Sequence, residues 1–159
     1  LDDHIVDSLG LVPIIASSSE SSPLLMDIGS GGGFPAVPVK ILLPQVSVLL
    51  FERSERKSSF LRKVVQELSL DSVELLSDSF PHRMPDHSPD FITARAVERP
   101  RRVLRDLLDW LPESSEILWQ SFDPSESVPE TMGVVRVDDE WSRSGFRRGN
   151  LFRITHRDG

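Results

Sequence analysis

A glycine-rich turn between residues 24 and 35 constrains the fold of this chain more than any other stretch. The sequence there reads LLMDIGSGGGFP, a short apolar strand followed by Gly29, Gly31 and Gly33. Glycine adopts positive φ values at little cost and lets a ligand approach the backbone closely. The N–H groups that open the next helix then face that ligand. The pattern predicts a strand–turn–helix unit of an α/β sheet with a nucleotide-type cofactor on the turn.

The glycine spacing favours one class of cofactor over another. A dinucleotide-binding turn usually reads GxGxxG after apolar residues, whereas here the glycines read GxGxG and Asp27 precedes the first by two positions. A carboxylate is poorly placed beside a pyrophosphate, because like charges repel in a partly desolvated site. It suits the ammonium and sulfonium of S-adenosylmethionine (SAM). We expect SAM on this turn, with an NAD-type cofactor or a purely structural turn as the alternatives.

Composition limits the remaining possibilities. A length of 159 residues predicts one domain over 1–159, with an N-terminal helical segment at 1–16 and a flexible linker at 17–23. The chain has no cysteine, so neither disulfides nor a thiolate metal site are expected, and no metal is predicted. No apolar run approaches the ~20 residues that span a bilayer, and no signal peptide is apparent. We therefore expect a soluble, cytoplasmic protein without a membrane partner; a monomer is favoured, although the sequence does not indicate the oligomeric state.

The charge pattern is uneven. A net charge of −7 argues against general nucleic-acid binding. Arginines are nevertheless concentrated in two clusters, which comprise Arg99, Arg101, Arg102 and Arg105, and Arg143, Arg147, Arg148, Arg153 and Arg157. Both solvated surface charges and a local basic rim that binds phosphate are compatible with these clusters.

Apolar strands alternate with amphipathic helices along the chain. Strands are predicted at 24–28, 46–51, 73–76, 91–94 and 116–120, helices after the glycine turn, at 54–68 and at 103–111, and a closing antiparallel pair at 133–137 and 150–155. In the first of these helices Val37, Ile41 and Leu42 are expected to face the sheet. This order predicts a mostly parallel, doubly wound α/β sheet with a C-terminal antiparallel hairpin, a Rossmann-like class I SAM-dependent methyltransferase fold.

Two polar segments follow predicted strands, where ligands bind in open α/β sheets. Glu52 lies 23 residues beyond Gly29, the place of an acid that accepts hydrogen bonds from ribose hydroxyls; the alternative is an acid at a helix N-terminus. Asp78 is placed to accept from the amine of adenine, with Ser79 or Phe80 supplying backbone contacts. Its alternative role is a helix cap.

Arg95 ends the fourth predicted strand. We expect it to point into the same crevice as Asp27, Glu52 and Asp78, where a guanidinium suits a carboxylate or a phosphate. The alternative is an arginine paired with a nearby acid for structure. His4 and Asp7 share one face of the first helix, and a capping or surface role is favoured for them over catalysis.

Four segments resemble the RsmG family, also called GidB or glucose-inhibited division protein B. They are HIVDSL at 4–9, MDIGSGGGFPAVP at 26–38, RKSSFL at 56–61 and ARAV at 94–97. The family methylates N7 of a guanine in bacterial small-subunit (16S) ribosomal RNA with SAM. The resemblance therefore implies SAM as cofactor and the 16S RNA of the 30S subunit as partner.

The resemblance also implies roles for particular residues. Asp27 and the three glycines would line the methionine end of SAM, Glu52 would bind the ribose, Ser79 and Phe80 the adenine side, and Arg95 would lie beside cofactor and substrate as a positioning residue. The predicted cofactor site comprises Asp27, Gly29, Ser30, Gly31, Gly33, Phe34, Glu52, Arg53, Asp78, Ser79, Phe80 and Arg95. The chain departs from the family at 120–122, where QSF stands in place of the usual LKG and a lysine expected near the substrate is missing. A small-molecule or protein acceptor and a non-catalytic SAM-binding module remain the alternatives.

Overall fold

The computed structural model describes residues 2–138, 143 and 149–157, and these form one seven-stranded sheet with five helices. The strands are β1 (Leu24–Ile28), β2 (Ser47–Phe51), β3 (Val73–Leu76), β4 (Phe91–Arg95), β5 (Glu116–Gln120), β6 (Met132–Arg136) and β7 (Phe152–His156). The helices are α1 (Asp2–Leu9), α2 (Val12–Ala16), α3 (Ala36–Leu42), α4 (Glu55–Glu67) and α5 (Pro100–Trp110).

The strand order is β3-β2-β1-β4-β5-β7-β6. Strands β1 to β5 pair in parallel, and β7 runs antiparallel to both β5 and β6. The predicted doubly wound sheet and its closing hairpin are confirmed. The order reverses between β1 and β4, which creates the switch point at which open α/β sheets bind ligands.

The sheet is buried on both faces, which explains its nearly continuous apolar strands. Side chains alternate along each strand, so Met26 and Ile92 pack on the face covered by α5, with Leu104 and Leu107. Leu25 and Leu50 pack on the opposite face, which is covered by α2, α3 and α4.

Two helices present faces that differ from prediction. In α3 the buried residues are Ala36, Val39 and Lys40, whereas Ile41 and Leu42 are about half exposed, so their expected burial against the sheet is wrong. The tight glycine turn sets where α3 begins, and that start sets its rotation. The ammonium of Lys40 donates to the carbonyls of Pro44 and Val46, which satisfies a buried charge.

In α4 the helix itself is confirmed, but its apolar stripe lies only partly against the sheet. Ser58 and Leu61 are buried, whereas Phe60 is half exposed. The Ser58 hydroxyl donates to the carbonyl of Glu52 at 2.8 Å, which fixes the rotation of the helix.

Two further predicted segments precede the sheet, the N-terminal helical segment and the linker. The N-terminal helical segment is two helices, and Pro13 lies in the first turn of α2, where its missing N–H is tolerated. In the predicted linker, the Ser22 hydroxyl donates to the carbonyl of Gln45. The segment 141–149, which connects the two predicted closing strands, lies mostly outside the described residues. No helix of the described chain is long and apolar enough to cross a membrane.

Candidate functional site

A crevice of about 410 Å³ opens at the carboxyl edge of the sheet, beside the switch point. Its size falls within the ~300–1,000 Å³ of typical ligand clefts. The lining combines apolar and polar side chains, namely Ile28, Gly29, Phe51, Glu52, Arg53, Lys57, Asp78, Ser79, Phe80, Pro81, His82, Ala96, Val97, Glu98, Arg99, Arg102, Val103 and Asp106. Six of the twelve predicted cofactor residues therefore line one cavity: Gly29, Glu52, Arg53, Asp78, Ser79 and Phe80.

The glycine turn needs glycine for two physical reasons. Gly29, Gly31 and Gly33 have φ values of +70°, +56° and +91°, which L side chains rarely adopt. A Cβ on Gly33 would lie 2.7 Å from Cγ2 of Val37. The turn is thus held tightly against the start of α3, with its backbone open to the crevice at Gly29.

Glu52 connects the turn to the start of α4. Its Oε2 accepts the N–H of Gly31 at 2.9 Å, and its Oε1 accepts the N–H of Ser54 at 2.8 Å. The residue is 5% exposed and still borders the crevice. Each carboxylate oxygen keeps a lone pair for a further donor. Ribose binding by Glu52 stays a prediction, now with a rigid carboxylate to support it.

Asp27 lies beneath the turn rather than on the crevice wall. Its Oδ1 accepts the Thr93 hydroxyl at 2.7 Å, and its Oδ2 has no hydrogen-bond partner among the described residues. Burial raises the pKa of Asp27 to about 7; the bond from Thr93 opposes the rise and the charge of Glu52 adds to it. The expectation that Asp27 shares the crevice with Glu52 is wrong, because alternation along β1 sends Ile28 to the crevice and Asp27 to the other face.

The segment after β3 lies where the sequence predicts. Asp78, Ser79 and Phe80 border the crevice, and the ring of Phe80 packs between Phe51 and Trp110. Asp78 Oδ1 accepts the N–H of Ser79 at 2.7 Å. Residues 79–90 form turns without a helix, so the alternative of a helix cap is wrong.

Arg95 does not share the crevice with Glu52 and Asp78, which corrects the prediction. Its Nη2 donates to Asp7 Oδ2 at 3.0 Å and lies 2.8 Å from His4 Nδ1. Arg95 falls on the same face of β4 as Thr93, toward α1. The structural pairing is therefore the arrangement found, and Asp7, at 5% exposure, is not the surface residue expected.

Gln120 begins the QSF segment that stands in place of the family's LKG, and it holds α1. Its Nε2 donates to the carbonyl of Asp7 at 2.9 Å, and it is opposite Arg95 in the β4–β5 register. The chain thus uses the ends of both strands to anchor its N-terminal helix.

Three further predicted residues lie near the glycine turn, and only Arg53 borders the crevice. Arg53 borders the crevice and forms an exposed ion pair with Glu98 at 2.6 Å. The Ser30 hydroxyl donates to the carbonyl of Asp27, and Phe34 packs beside the His4 ring. Both lie outside the crevice lining.

Sequence reasoning missed the loop that joins β4 to α5. Its residues 96–99 form one wall of the crevice. Their signal was available, since a loop after a parallel strand at the switch point always meets the ligand edge. No group of three or more metal-ligating side chains occurs within the described ranges.

The cavity fits an adenosine-bearing ligand. Phe51, Phe80 and Val97 offer an apolar surface for a base, Glu52 offers a fixed acceptor, and Gly29 lets the ligand approach the backbone. A carboxylate can accept hydrogen bonds from ribose hydroxyls, and the backbone of the glycine turn leaves room for a cationic tail.

Solved structures share this fold at low sequence identity. Precorrin-6y C5,15-methyltransferase from Geobacter metallireducens superposes with a TM-score of 0.62 at 13% identity, covering 98% of this chain and 87% of that one. A mutant of MtNAS in complex with S-adenosylmethionine gives 0.71 at 17% identity, covering 96% and 62%. TrmN from Thermus thermophilus gives 0.69 at 16%, covering 94% and 48%. These likenesses show the fold.

Curated relatives are similar at the level of sequence. Ribosomal RNA small subunit methyltransferase G of Chromobacterium violaceum is 40% identical over 93 residues, which are 58% of this chain and 43% of that protein. The enzyme of the same name from Laribacter hongkongensis is 32% identical over 143 residues, 86% of this chain and 66% of that protein. The chain spans about half the length of the first such relatives.

The family model described as rRNA small subunit methyltransferase G matches residues 1–119, a stretch that runs from α1 to β5 and supplies the glycine turn, Glu52 and every other residue of the crevice. On that match, the chain belongs to the GidB (RsmG) family.

Proposed function

We propose that this chain transfers a methyl group from SAM to N7 of a guanine in the 16S RNA of the bacterial small ribosomal subunit. The observation that carries the proposal is the crevice itself, since Gly29, Glu52 and Phe80, which follow three different strands, meet there. The name shared by the curated relatives supports the RNA acceptor.

The cofactor residues act by binding and orientation. Glu52 is held by two backbone N–H groups, so it offers ribose hydroxyls an acceptor that does not need to reorganise. Phe51 and Phe80, packed edge to face, exclude water from the adenine side. SAM, when bound, supplies an electrophilic methyl group on a sulfonium.

The acceptor atom needs little help from acid–base groups. Guanine N7 carries a lone pair and no proton, so no general base is required for its attack. The protein's contribution is to hold the two reacting atoms in line at short distance. A crevice built from backbone, apolar side chains and one fixed carboxylate suits that task.

The test is incubation of the chain with radiolabelled SAM and 30S subunits from cells that lack the modification. We expect label in 16S RNA, mapped by primer extension after cleavage at 7-methylguanine, and several-fold less label with Glu52→Ala at a SAM concentration below the parent's Kd. Label that enters small molecules or protein but never RNA would assign another acceptor. SAM binding by calorimetry without any transfer would indicate a binding module.

A further inference from the structure

A second cavity, of about 600 Å³, adjoins the crevice on the α5 side. It is lined by Arg99, Pro100, Arg101, Arg102, Arg105 and Phe122, which we call the arginine surface. Arg99 and Arg102 border both cavities, so the arginine surface leads directly into the crevice.

The arginine surface is basic in a chain that is acidic overall. Residues 98–106 hold four arginines and two acids, against 18 basic and 25 acidic residues in the whole chain. All four arginines are exposed. Arg102 lies 3.7 Å from Asp106 and Glu98 pairs with Arg53, both exposed contacts that are worth little in water. The guanidinium groups therefore remain available to an outside anion.

Phe122 adds an aromatic ring to this surface. The ring is partly exposed, and the Arg101 guanidinium carbon lies 4.8 Å from its centroid. Trp119 supports the ring edge to face at 5.6 Å, and its indole N–H donates to the carbonyl of Phe122 at 3.0 Å. Aromatic rings among arginines are the feature by which proteins stack the bases of single-stranded nucleic acid.

The chemistry of the acceptor points to a single strand. N7 lies on the major-groove edge of guanine, and the major groove of an RNA helix is too deep and narrow for side chains to reach. A guanine that presents N7 to the crevice must lie in an unpaired segment. Its neighbouring nucleotides then need a surface that binds phosphates and exposed bases.

We propose that the arginine surface binds the single-stranded RNA segment next to the target guanine. Arg101 leaves the Phe122 ring and contacts the phosphates together with Arg105, and one unpaired base stacks on Phe122 in its place. Arg99 and Arg102, which border both cavities, lie where the RNA segment enters the crevice. The inference rests on the proposed function for the identity of the target base.

The first test measures phosphate contacts. The variant Arg101→Gln/Arg105→Gln is compared with Lys63→Gln/Arg83→Gln, which removes two exposed positive charges away from the arginine surface. The probe is a labelled oligouridylate of about 15 nucleotides, within the usual range of single-strand sites. Its affinity is measured between about 50 and 200 mM salt, where each phosphate contact contributes ~0.7 to the slope of log affinity against log salt.

We expect the arginine variant to bind at least about tenfold more weakly at low salt, with a slope shallower by about 1.4, while SAM affinity stays that of the parent. The control variant should keep the parent slope. An arginine variant with the parent slope, or a control that loses as much, would overturn the proposal.

The second test separates stacking from charge. Phe122→Leu should weaken oligouridylate binding by about tenfold and leave the salt slope unchanged, with folding checked by near-ultraviolet circular dichroism. Unchanged affinity in a folded Phe122→Leu protein would refute the stacking step.

The two proposals fail in different ways. If the parent methylates 30S subunits and the arginine variant has the same KM for them, the arginine surface is wrong and the proposed function stands. If the parent binds RNA through the arginines but transfers no methyl group, the surface stands and the proposed function is wrong.

Discussion

Neighbouring residues of one strand serve different parts of this molecule. On β1, Ile28 borders the crevice while Asp27 is buried on the α1 side beside Thr93. On β4, Arg95 follows the same alternation and bonds Asp7. The carboxylate of Asp27 and the guanidinium of Arg95 therefore make structural contacts near the ligand edge. Any role of either side chain toward a cofactor stays a prediction.

Asp27 makes folding stability depend on pH. The native pKa of about 7 lies above the ordinary value of 3.8, so between those values the native state binds a proton that the unfolded state has lost. Stability therefore falls as pH rises through this window, by about 4 kcal/mol at roughly 1.4 kcal/mol per pKa unit. Asp27→Asn keeps an acceptor for Thr93 and cannot ionise. We expect its urea-measured stability to exceed the parent's at pH 8 and to match it near pH 4.

A pH dependence in Asp27→Asn as steep as the parent's would assign the effect to another group. Thr93→Val serves as the matched control, since it removes the hydrogen bond and leaves the carboxyl in place. Its stability should still fall with rising pH.

The Arg95–Asp7 pair anchors α1 to the sheet. The two side chains are only 14% and 8% exposed. Removing one partner of a buried pair leaves a charge without its counterion, which costs about 3–5 kcal/mol. Arg95→Gln should lower the free energy of unfolding by that amount, and adding Asp7→Asn should restore part of it. A double-mutant cycle by urea denaturation measures the coupling; additive single effects would show that the pair contributes nothing.

The glycine turn contributes its backbone to the site, and the Glu52 side chain connects this turn to α4. Gly33 packs under α3 and Gly29 packs against Val97 of the β4–α5 loop, where an added Cβ would meet Val97 Cγ1 at 3.0 Å. Glu52 then joins this turn to α4. Three elements that surround the crevice are thus coupled through one turn.

Gly33→Ala should destabilise the protein by at least about 2 kcal/mol. Its φ of +91° is strained for any L side chain, a cost of ~1–2 kcal/mol, and the new methyl would overlap Val37. Gly32→Ala is the matched control, because nothing lies closer than 3.8 Å to its added Cβ and its φ is not positive. Thermal unfolding should separate the two variants, and equal melting temperatures would contradict the packing described here.

Glu52 variants test the junction and the proposed ribose contact together. Glu52→Ala removes both acceptors of backbone N–H groups, so SAM affinity should fall by at least about tenfold, the worth of one charged hydrogen bond. Glu52→Gln retains one acceptor oxygen and should fall less. Calorimetric titration with SAM gives both values; parent-like binding by Glu52→Ala would remove Glu52 from the cofactor site.

At the scale of the whole molecule, the sheet order determines where the crevice lies. The reversal between β1 and β4 leaves a gap at the carboxyl edge that no crossover helix covers. The α5 side of that gap is basic and leads to the crevice, although the chain carries a net charge of −7. Under the proposed function, the RNA contacts this local positive charge although the total charge of the chain is negative.

A ligand of the crevice should stabilise the whole fold. Because SAM contacts the ends of several strands in the proposed site, binding to the native state alone adds about 2.7 kcal/mol at a hundredfold excess over Kd. The melting temperature should rise with SAM concentration and stay unchanged with NADH at equal concentration. A melting temperature that rises with NADH and not with SAM would indicate that the glycine turn binds a dinucleotide instead.

Much of the architecture follows from local sequence pattern. Strands β1 to β5, the helix at α4 and the closing hairpin were predicted within one or two residues, because apolar periodicity and glycine or proline boundaries act over short distances. The positive φ values of the glycine turn and the crevice position of Glu52 and Phe80 follow from the same information.

The sequence by itself determined the order of elements, the need for glycine at the turn and the family to which the chain belongs. Tertiary structure alone decided that Arg95 and Gln120 hold α1, that Ile41 and Phe60 face outward, and that the arginine surface borders the crevice. The physical reason is the distance along the chain over which each interaction acts. Backbone preference and periodicity are properties of a few adjacent residues, whereas a side chain's partner depends on strand register, helix rotation and residues as far apart as Asp7 and Arg95.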